Sequence, residues 1–264
     1  MIPPRKTDLL PLPLAIAACR RTWTERDDLL RLAVVPLALS FALNLWVWHA
    51  YGDVFAALGR GEMPTPEMAD AMLLPTLFVG LASWFATSVF AVNWMRVLLL
   101  GHGAVAGLGL AIDRRHIRFT MLAFLTQLVL GFGFMLAFML VALLLPSMAM
   151  LLVIGVVLML FYVMVLLRLA PLWVGIAIDA PLAFKQAWQR TSGYGMQLLA
   201  AVVLISLTIM VGQTVLQIIL GVLGLIQAAP MAMLFISLVI QFILTACVCA
   251  VFVLAYPRFV SETV

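Results

Sequence analysis

Charged side chains are scarce in this sequence: Asp, Glu, Lys and Arg make up 10% of its 264 residues, whereas hydrophobic residues make up 66%. The mean hydropathy is +1.21, while a soluble domain is apolar in only about half of its residues. The few charges leave no segment that could fold as a separate aqueous domain. We therefore expect residues 1–264 to form a single transmembrane domain.

Cysteine is scarce as well, because the chain has only three, which are too few and too scattered for a disulfide framework. One of them, Cys19, ends an apolar stretch that follows Arg5 and Lys6, and this imitates a lipoprotein signal. Cleavage there would leave the next arginines on the outer side, against the usual charge bias. We expect 1–31 to be a cytoplasmic segment lying against the membrane.

The sequence also lacks a pattern typical of catalysis or of a bound cofactor or metal. His49, His102 and His116 lie apart and do not have the spacing of a helical zinc site. No Asp, Glu or Lys falls in the middle of a predicted span, as a proton relay would require. The net charge of +4 comes from basic residues that flank apolar runs, which indicates membrane topology and not nucleic-acid binding. We expect a protein that is not an enzyme and has no cofactor.

Long apolar runs dominate what remains. A helix needs about 20 apolar residues to cross roughly 30 Å of hydrocarbon. The uncharged stretches 119–167 and 191–257 are too long for one span each, so each must fold back, near Pro146 and Pro230. The predicted fold is all-α, with six transmembrane helices at 32–51, 72–95, 119–145, 148–167, 196–225 and 231–256.

Lys and Arg fall almost entirely on one side of this arrangement. Of the 15 residues of these two types, only Arg60 lies on the other side, in an acidic loop at 52–71. Because Lys and Arg are retained in the cytoplasm, we expect both termini to be cytoplasmic and the loop to be periplasmic.

An arginine ends each of spans two, four and six at the basic side: Arg96, Arg168 and Arg258. The first two are followed by Gly-Leu-Ala-Ile-Asp at 109–113 and Gly-Ile-Ala-Ile-Asp at 175–179. The similarity indicates three decayed helical-hairpin repeats, although the spacing from arginine to aspartate differs between the two.

Two basic segments have the pattern of helices lying in the membrane interface. In 179–193 the apolar positions follow helical spacing at Phe184, Ala187, Trp188 and Thr191. We expect Asp179 to cap this helix and Gly193 to end it. A second interfacial helix is predicted at 14–23.

Arg168 is predicted to be the most consequential charge. It can lay its stem along the helix and place its guanidinium among lipid phosphates. Alternatively, Pro171 ends the helix and the chain returns past Arg168, which then pairs with Asp179. With Trp188, Arg190 and Arg96, these residues are the predicted contacts to lipid or to a partner.

Uncharged polar residues within the spans most often join helices to one another. They are Asn44, Ser83, Thr87, Ser88, Asn93, Gln127, Gln213, Gln217, Ser237, Gln241 and Thr245. We expect Asn93, Gln127, Gln213 and Gln217 to form a polar interior, with the fifth span as the most interior helix.

The segment Arg-Leu-Ala-Pro at 168–171, followed by Ala-Phe-Lys-Gln-Ala-Trp-Gln-Arg-Thr-Ser-Gly at 183–193, resembles YciC-like proteins and the membrane domains of glycerophosphoryl diester phosphodiesterases. The stretch 91–101 is also similar to a segment of six-span proteins of this kind. The resemblance implies a multi-pass protein of the bacterial inner membrane without an assigned reaction. The catalytic domain is absent, so phosphodiesterase activity does not follow.

These observations favour a non-enzymatic inner-membrane protein that binds lipid or a membrane partner, which includes a second copy of itself, in envelope maintenance. The alternative is a transporter of small molecules or lipids, with a path along the polar residues of spans two, three and five. An enzyme is the third hypothesis.

Overall fold

The architecture was obtained as a computed structural model, which describes residues 10–59, 65–144, 147–222 and 230–261. These ranges are helical apart from short connections and contain no strand. The helices are α1 Pro11–Thr24, α2 Arg26–Gly59, α3 Pro66–Leu100, α4 Arg114–Leu144, α5 Met148–Arg168, α6 Ala170–Ala177, α7 Phe184–Arg190, α8 Gly195–Val222 and α9 Pro230–Ser261. The predicted breaks near Pro146 and at 227–229 lie outside the described residues.

Within the described ranges, six helical stretches are long and apolar enough to cross a membrane. They are Arg26–Phe55, Pro66–Leu100, Arg114–Leu144, Ala149–Ala177, Gly195–Val222 and Met231–Val260. The prediction of an all-α, multi-pass membrane protein with six spans is therefore confirmed.

Local signals at the ends of α3 show how the sequence delimits these helices. Thr65 caps the first turn, because its hydroxyl accepts a hydrogen bond from the Met68 N–H at 3.3 Å. Pro66 follows at the first helical position, where its missing N–H costs nothing. The helix ends at Gly101, whose φ of 89° lies in the left-handed region that favours glycine.

The best-packed part of the bundle lies at the end that carries α1, α6, α7 and the Arg96 region of α3, which we call the basic end. The last span is at its centre: half of the residues in the most apolar stretch of α9 are buried, against 22% of those in α8. The expectation that the fifth span is the most interior was therefore wrong. Small residues such as Ala246, Cys247 and Ala250 let neighbouring helices approach α9 closely, and α8 has a larger exposed face.

The third and fourth spans, which contain α4 and α5, are almost fully exposed: 0% and 6% of the residues in their most apolar stretches are buried. Side chains such as Val129, Phe132 and Leu152 are exposed along it. In a membrane protein this surface faces lipid, which solvates apolar groups as well as a protein interior does.

α1 contains the predicted helix at 14–23. One of its faces packs against α8 and α9 and includes the buried residues Leu14, Ala15 and Ala18. The opposite face exposes Trp23 to 70%. The segment is thus part of the bundle on one side and free to meet the membrane interface on the other.

α7 lies within the predicted segment 179–193, but Asp179 does not cap it. The helix begins at Phe184, and the Ala183 N–H donates to the Gln186 side chain at 3.2 Å. Asp179 does not cap α7 because it belongs to the turn that ends α6. Further residues connect this turn to the start of α7.

Candidate functional site

Asp179 joins three elements at the basic end. It follows α6 with a φ of 62°, and its Oδ2 accepts hydrogen bonds from Arg96 at 3.1 Å and from Arg115 at 2.7 Å. Arg96 also donates to the Ala177 carbonyl at 2.8 Å. The turn after α6 is therefore fastened to α3 and α4.

Arg115 connects the two aspartates that end the similar segments of the sequence. Its second guanidinium nitrogen lies 2.8 Å from Asp113 Oδ2, while the first binds Asp179. The two segments nevertheless differ in conformation, since Gly109 adopts a φ of 68° in a loop and Gly175 is helical. The hairpin repeat stays a hypothesis, and the role of Arg115 was missed because no spacing relates it to Asp179.

A cleft of about 300 Å³ opens beside this cluster, and Arg114, Arg115, Arg118, Ile176, Asp179 and Pro181 line it. Arg114 and Arg118 lie one turn apart at the start of α4, and both are exposed. Neither has an acidic partner among the described residues. The cleft therefore has a net positive charge and an apolar wall.

Arg168 does not pair with Asp179, and the predicted pair was wrong. Its Nη2 donates to the Trp188 carbonyl at 2.8 Å, and its guanidinium carbon lies 3.8 Å from the centroid of the Trp188 ring. The reason is Pro171, which occupies the first turn of α6, where proline is tolerated, so the chain continues and does not turn back there. It returns to Arg168 only at α7.

Thr191 completes the attachment of α7 to the end of α5. Its hydroxyl oxygen lies 3.0 Å from the Arg168 carbonyl and 2.9 Å from the Ala187 carbonyl. Gly195 lies against the Arg168 stem, since a Cβ there would be 3.3 Å from Arg168 Cγ. Arg190, the last residue of α7, is half-buried. The predicted interfacial helix is thus locked to the bundle through Arg168.

Asn93 and His116 form a buried polar link between α3, α4 and the connection before α4. Nδ1 of His116 accepts the Asp113 N–H at 3.0 Å, so Nε2 carries the proton and donates to Asn93 Oδ1 at 3.1 Å. The Asn93 amide donates to the Gly109 carbonyl at 2.8 Å. All the polar atoms of this link are used in holding the connection, which makes it structural.

His102 contacts two carboxylates at the start of α2. Its Nδ1 is hydrogen-bonded to Asp28, and its Nε2 lies 3.4 Å from Glu25 Oε2. The hydrogen bond to Asp28 raises the pKa of His102 above its ordinary value, and the charges of Asp28 and Glu25 act in the same direction. These three residues have ligand types that could hold a metal ion. Arg21 lies 3.1 Å from Glu25 and Arg31 lies 2.8 Å from Asp28, so the carboxylates already have cationic partners.

The four residues expected to form a polar interior do not line one path. Asn93 belongs to the link described above, and Gln127 accepts a hydrogen bond from the Tyr162 hydroxyl. Gln213 is half-buried and Gln217 is exposed on α8. The sequence showed which residues are polar but not which faces of the helices they share.

The sequence matches no family model, no curated protein and no solved structure at a significant level.

Proposed function

We propose that this protein is a non-enzymatic membrane protein of the bacterial inner membrane that binds anionic lipid headgroups at its basic end, in the service of envelope maintenance. The proposal assumes that the basic end faces the cytoplasm, in agreement with the distribution of Lys and Arg. Six apolar spans support the membrane location. The observation that carries the proposal is the cleft beside Arg114 and Arg118.

The charges in the cleft favour an anionic group. Arg115 is already neutralised by Asp113 and Asp179, whereas Arg114 and Arg118 have no acidic partner among the described residues. A guanidinium binds phosphate through paired N–H donors, and each basic residue near an anionic membrane surface contributes about 1 kcal/mol. Two such residues favour a phosphate-bearing headgroup.

The apolar wall of the cleft favours a lipid over a free anion. Ile176 and Pro181 line the cleft together with the arginines, and their apolar surface suits the glycerol and first carbons of a lipid. The Arg168 and Trp188 stack supports the same function indirectly, because it holds α7, with its exposed Phe184, close to the bundle. The resemblance to YciC-like proteins agrees with this proposal but adds no ligand.

Lipid retention measured by native mass spectrometry tests the proposal. The detergent-purified protein should retain phosphatidylglycerol in preference to phosphatidylcholine. Arg114→Gln combined with Arg118→Gln should weaken phosphatidylglycerol binding about thirtyfold, since two contacts of about 1 kcal/mol each are lost.

The matched control removes the same two charges elsewhere at the basic end, by Arg20→Gln with Arg26→Gln. Both of these side chains are exposed. The control should retain phosphatidylglycerol as the unmodified protein does. An equal loss in both double variants would show diffuse attraction and would overturn the assignment to the cleft.

A further inference from the structure

A polar cavity of about 500 Å³ lies between α2, α3 and α9, inside the membrane-spanning part of the bundle. Its polar lining side chains are Ser40, Asn44, Thr76, Ser83, Thr87 and Gln241. None of the described residues that line it carries a formal charge. It is separate from the basic cleft, because the two have no lining residue in common.

Two serine hydroxyls in this cavity lack partners. Ser40 is only 1% exposed, and its Oγ has no hydrogen-bond partner among the described residues. The Oγ of Ser83 is also a buried atom without a hydrogen-bond partner among the described residues. Buried polar groups almost always have a partner, and in a membrane no bulk water supplies one. The two hydroxyls thus have capacity for a ligand from outside the chain.

The neighbouring polar groups define what this ligand must offer. The Asn44 amide nitrogen donates to the Ser40 carbonyl at 2.7 Å, and the Thr87 hydroxyl donates to the Ser83 carbonyl at 2.9 Å. One N–H of Asn44 and the Thr87 hydroxyl proton are used, whereas the Asn44 side-chain oxygen can still accept and the two serine hydroxyls can both donate and accept. A ligand with hydroxyl groups, which both donate and accept, fits this set.

Aromatic rings close the cavity toward the basic end. Phe242 lines it and contacts Phe90 edge to face, with 5.2 Å between ring centroids. One turn further along α3, the fully buried Trp94 donates its indole N–H to the Ala246 carbonyl at 3.0 Å. Among the described residues, these rings therefore close the end of the cavity that is nearer to the basic end.

An apolar groove of about 800 Å³ between α3 and α4 adjoins this pocket. It shares Thr76, Gly80 and Trp84 with the pocket. Most of its other lining residues are apolar: Leu73, Leu77, Leu81, Phe124 and Leu128. A ligand with an acyl chain can thus place the chain in the groove and its head in the pocket.

We propose that this pocket binds an uncharged, hydroxyl-bearing lipid of the diacylglycerol type. The glycerol hydroxyl meets Ser40, Ser83 and Asn44, and an acyl chain lies in the groove across Gly80. A phosphate-bearing lipid is disfavoured here, because its charge would be placed deep in the membrane without a cationic partner. This site is independent of the proposed headgroup cleft.

Thermal stability of delipidated protein in detergent tests the proposal, with diacylglycerol, phosphatidylglycerol and glycerol as separate probes. Diacylglycerol should raise Tm, since a ligand that binds only the folded state stabilises it. Glycerol at the same concentration should not raise it, and phosphatidylglycerol should act only through the basic cleft. A shift with glycerol equal to that with diacylglycerol would overturn the assignment to a lipid.

Two variants locate the effect in the pocket. Gly80→Leu adds a side chain where no atom lies within 4 Å of the new Cβ, so it should block the pocket without a clash and abolish the diacylglycerol shift. Gly133→Leu adds the same side chain at an exposed position of α4 that is equally open, and it should leave the shift unchanged.

The other pocket variant, Ser40→Ala combined with Ser83→Ala, removes the two hydroxyls and keeps the shape of the pocket. It should fold at least as well as the unmodified protein without lipid, because two unpartnered hydroxyls are removed. It should bind diacylglycerol about tenfold more weakly. Unchanged affinity in this variant and in Gly80→Leu would show that diacylglycerol binds elsewhere, against the proposal.

Discussion

The guanidinium carbon of Arg168 lies over the Trp188 ring, 3.8 Å from its centroid. The contact joins the end of α5 to α7 over a distance of 20 residues in the sequence. A cation over an aromatic face is attracted to it by about 1–2 kcal/mol when the pair is partly removed from water. The stack therefore holds α7 in place.

A double-mutant cycle should detect this coupling. Arg168→Met and Trp188→Leu should each lower Tm and the free energy of unfolding in detergent. The free energy of unfolding that the double variant loses should be smaller than the sum of the two single losses by about 1 kcal/mol. The pair Arg168→Met and Asp179→Asn is the control and should be additive, because the two side chains have different partners. Coupling in the second cycle and additivity in the first would contradict the structure.

Gly109 is expected to tolerate no side chain. A Cβ there would lie 2.8 Å from Leu32 Cδ2 and 2.9 Å from the Asn93 amide nitrogen. Gly109→Ala should therefore disturb the hydrogen bond between Asn93 and the Gly109 carbonyl and lower Tm markedly. Gly107→Ala is the matched control, because Gly107 also has a positive φ, 54°, but open space around it. Gly107→Ala should lower the free energy of unfolding only through backbone strain, by about 1 kcal/mol. If Gly109→Ala lowered it by the same amount, the clash at Gly109 would be excluded.

His102 should make stability depend on pH. Its pKa is raised above 6.5 by Asp28 and then Glu25, so the protonated ring stabilises the folded state. This contribution is complete below the ordinary pKa and is lost as the pH rises through the raised value. Between about pH 6 and about pH 9, Tm of the unmodified protein should fall more than that of His102→Gln. His49 lies on an exposed part of α2, so Tm of His49→Gln should fall with rising pH as much as that of the unmodified protein. If Tm of His102→Gln fell by the same amount as that of the unmodified protein, His102 would not be the source of the pH dependence.

The orientation of the bundle can be measured by single-cysteine labelling. With the three native cysteines replaced by alanine, Glu67→Cys and Lys185→Cys place one reporter at each end of the helices. A membrane-impermeant maleimide added to intact spheroplasts should label Glu67→Cys only, because the segment 52–71, which the structure places largely in the ends of α2 and α3 and not in a loop, is predicted to be periplasmic. Labelling of Lys185→Cys from that side would reverse the proposed orientation.

The number of spans could be predicted because hydrophobic length is a local property of the sequence. The uncharged stretches 119–167 and 191–257 are each too long for one crossing, and the structure divides each into two helices. Contacts between charged residues could not be predicted in this way. Whether Pro171 ends a helix or begins one decides which residue Arg168 meets, and both positions are common for proline.

The lipid pocket shows the same limit for polar residues. Asn44, Ser83, Thr87 and Gln241 were visible as polar positions within predicted spans, yet their convergence depends on how α2, α3 and α9 are rotated about their axes. Ser40 was not singled out, although it lies within the first predicted span, 32–51. Its missing partner is a property of the packed structure alone.

The difference in helix length within the bundle has a consequence for the surrounding bilayer. α5 has 21 residues, or about 31 Å, which just matches the hydrocarbon thickness, while α3 has 35 residues, or about 52 Å. The long helix can adapt to a thicker membrane by changing its tilt, whereas the fourth span, Ala149–Ala177, can also adapt at the break between α5 and α6, next to Arg168. A change in bilayer thickness should therefore alter the angle between α5 and α6, and the contact of Arg168 with the Trp188 ring should resist that change.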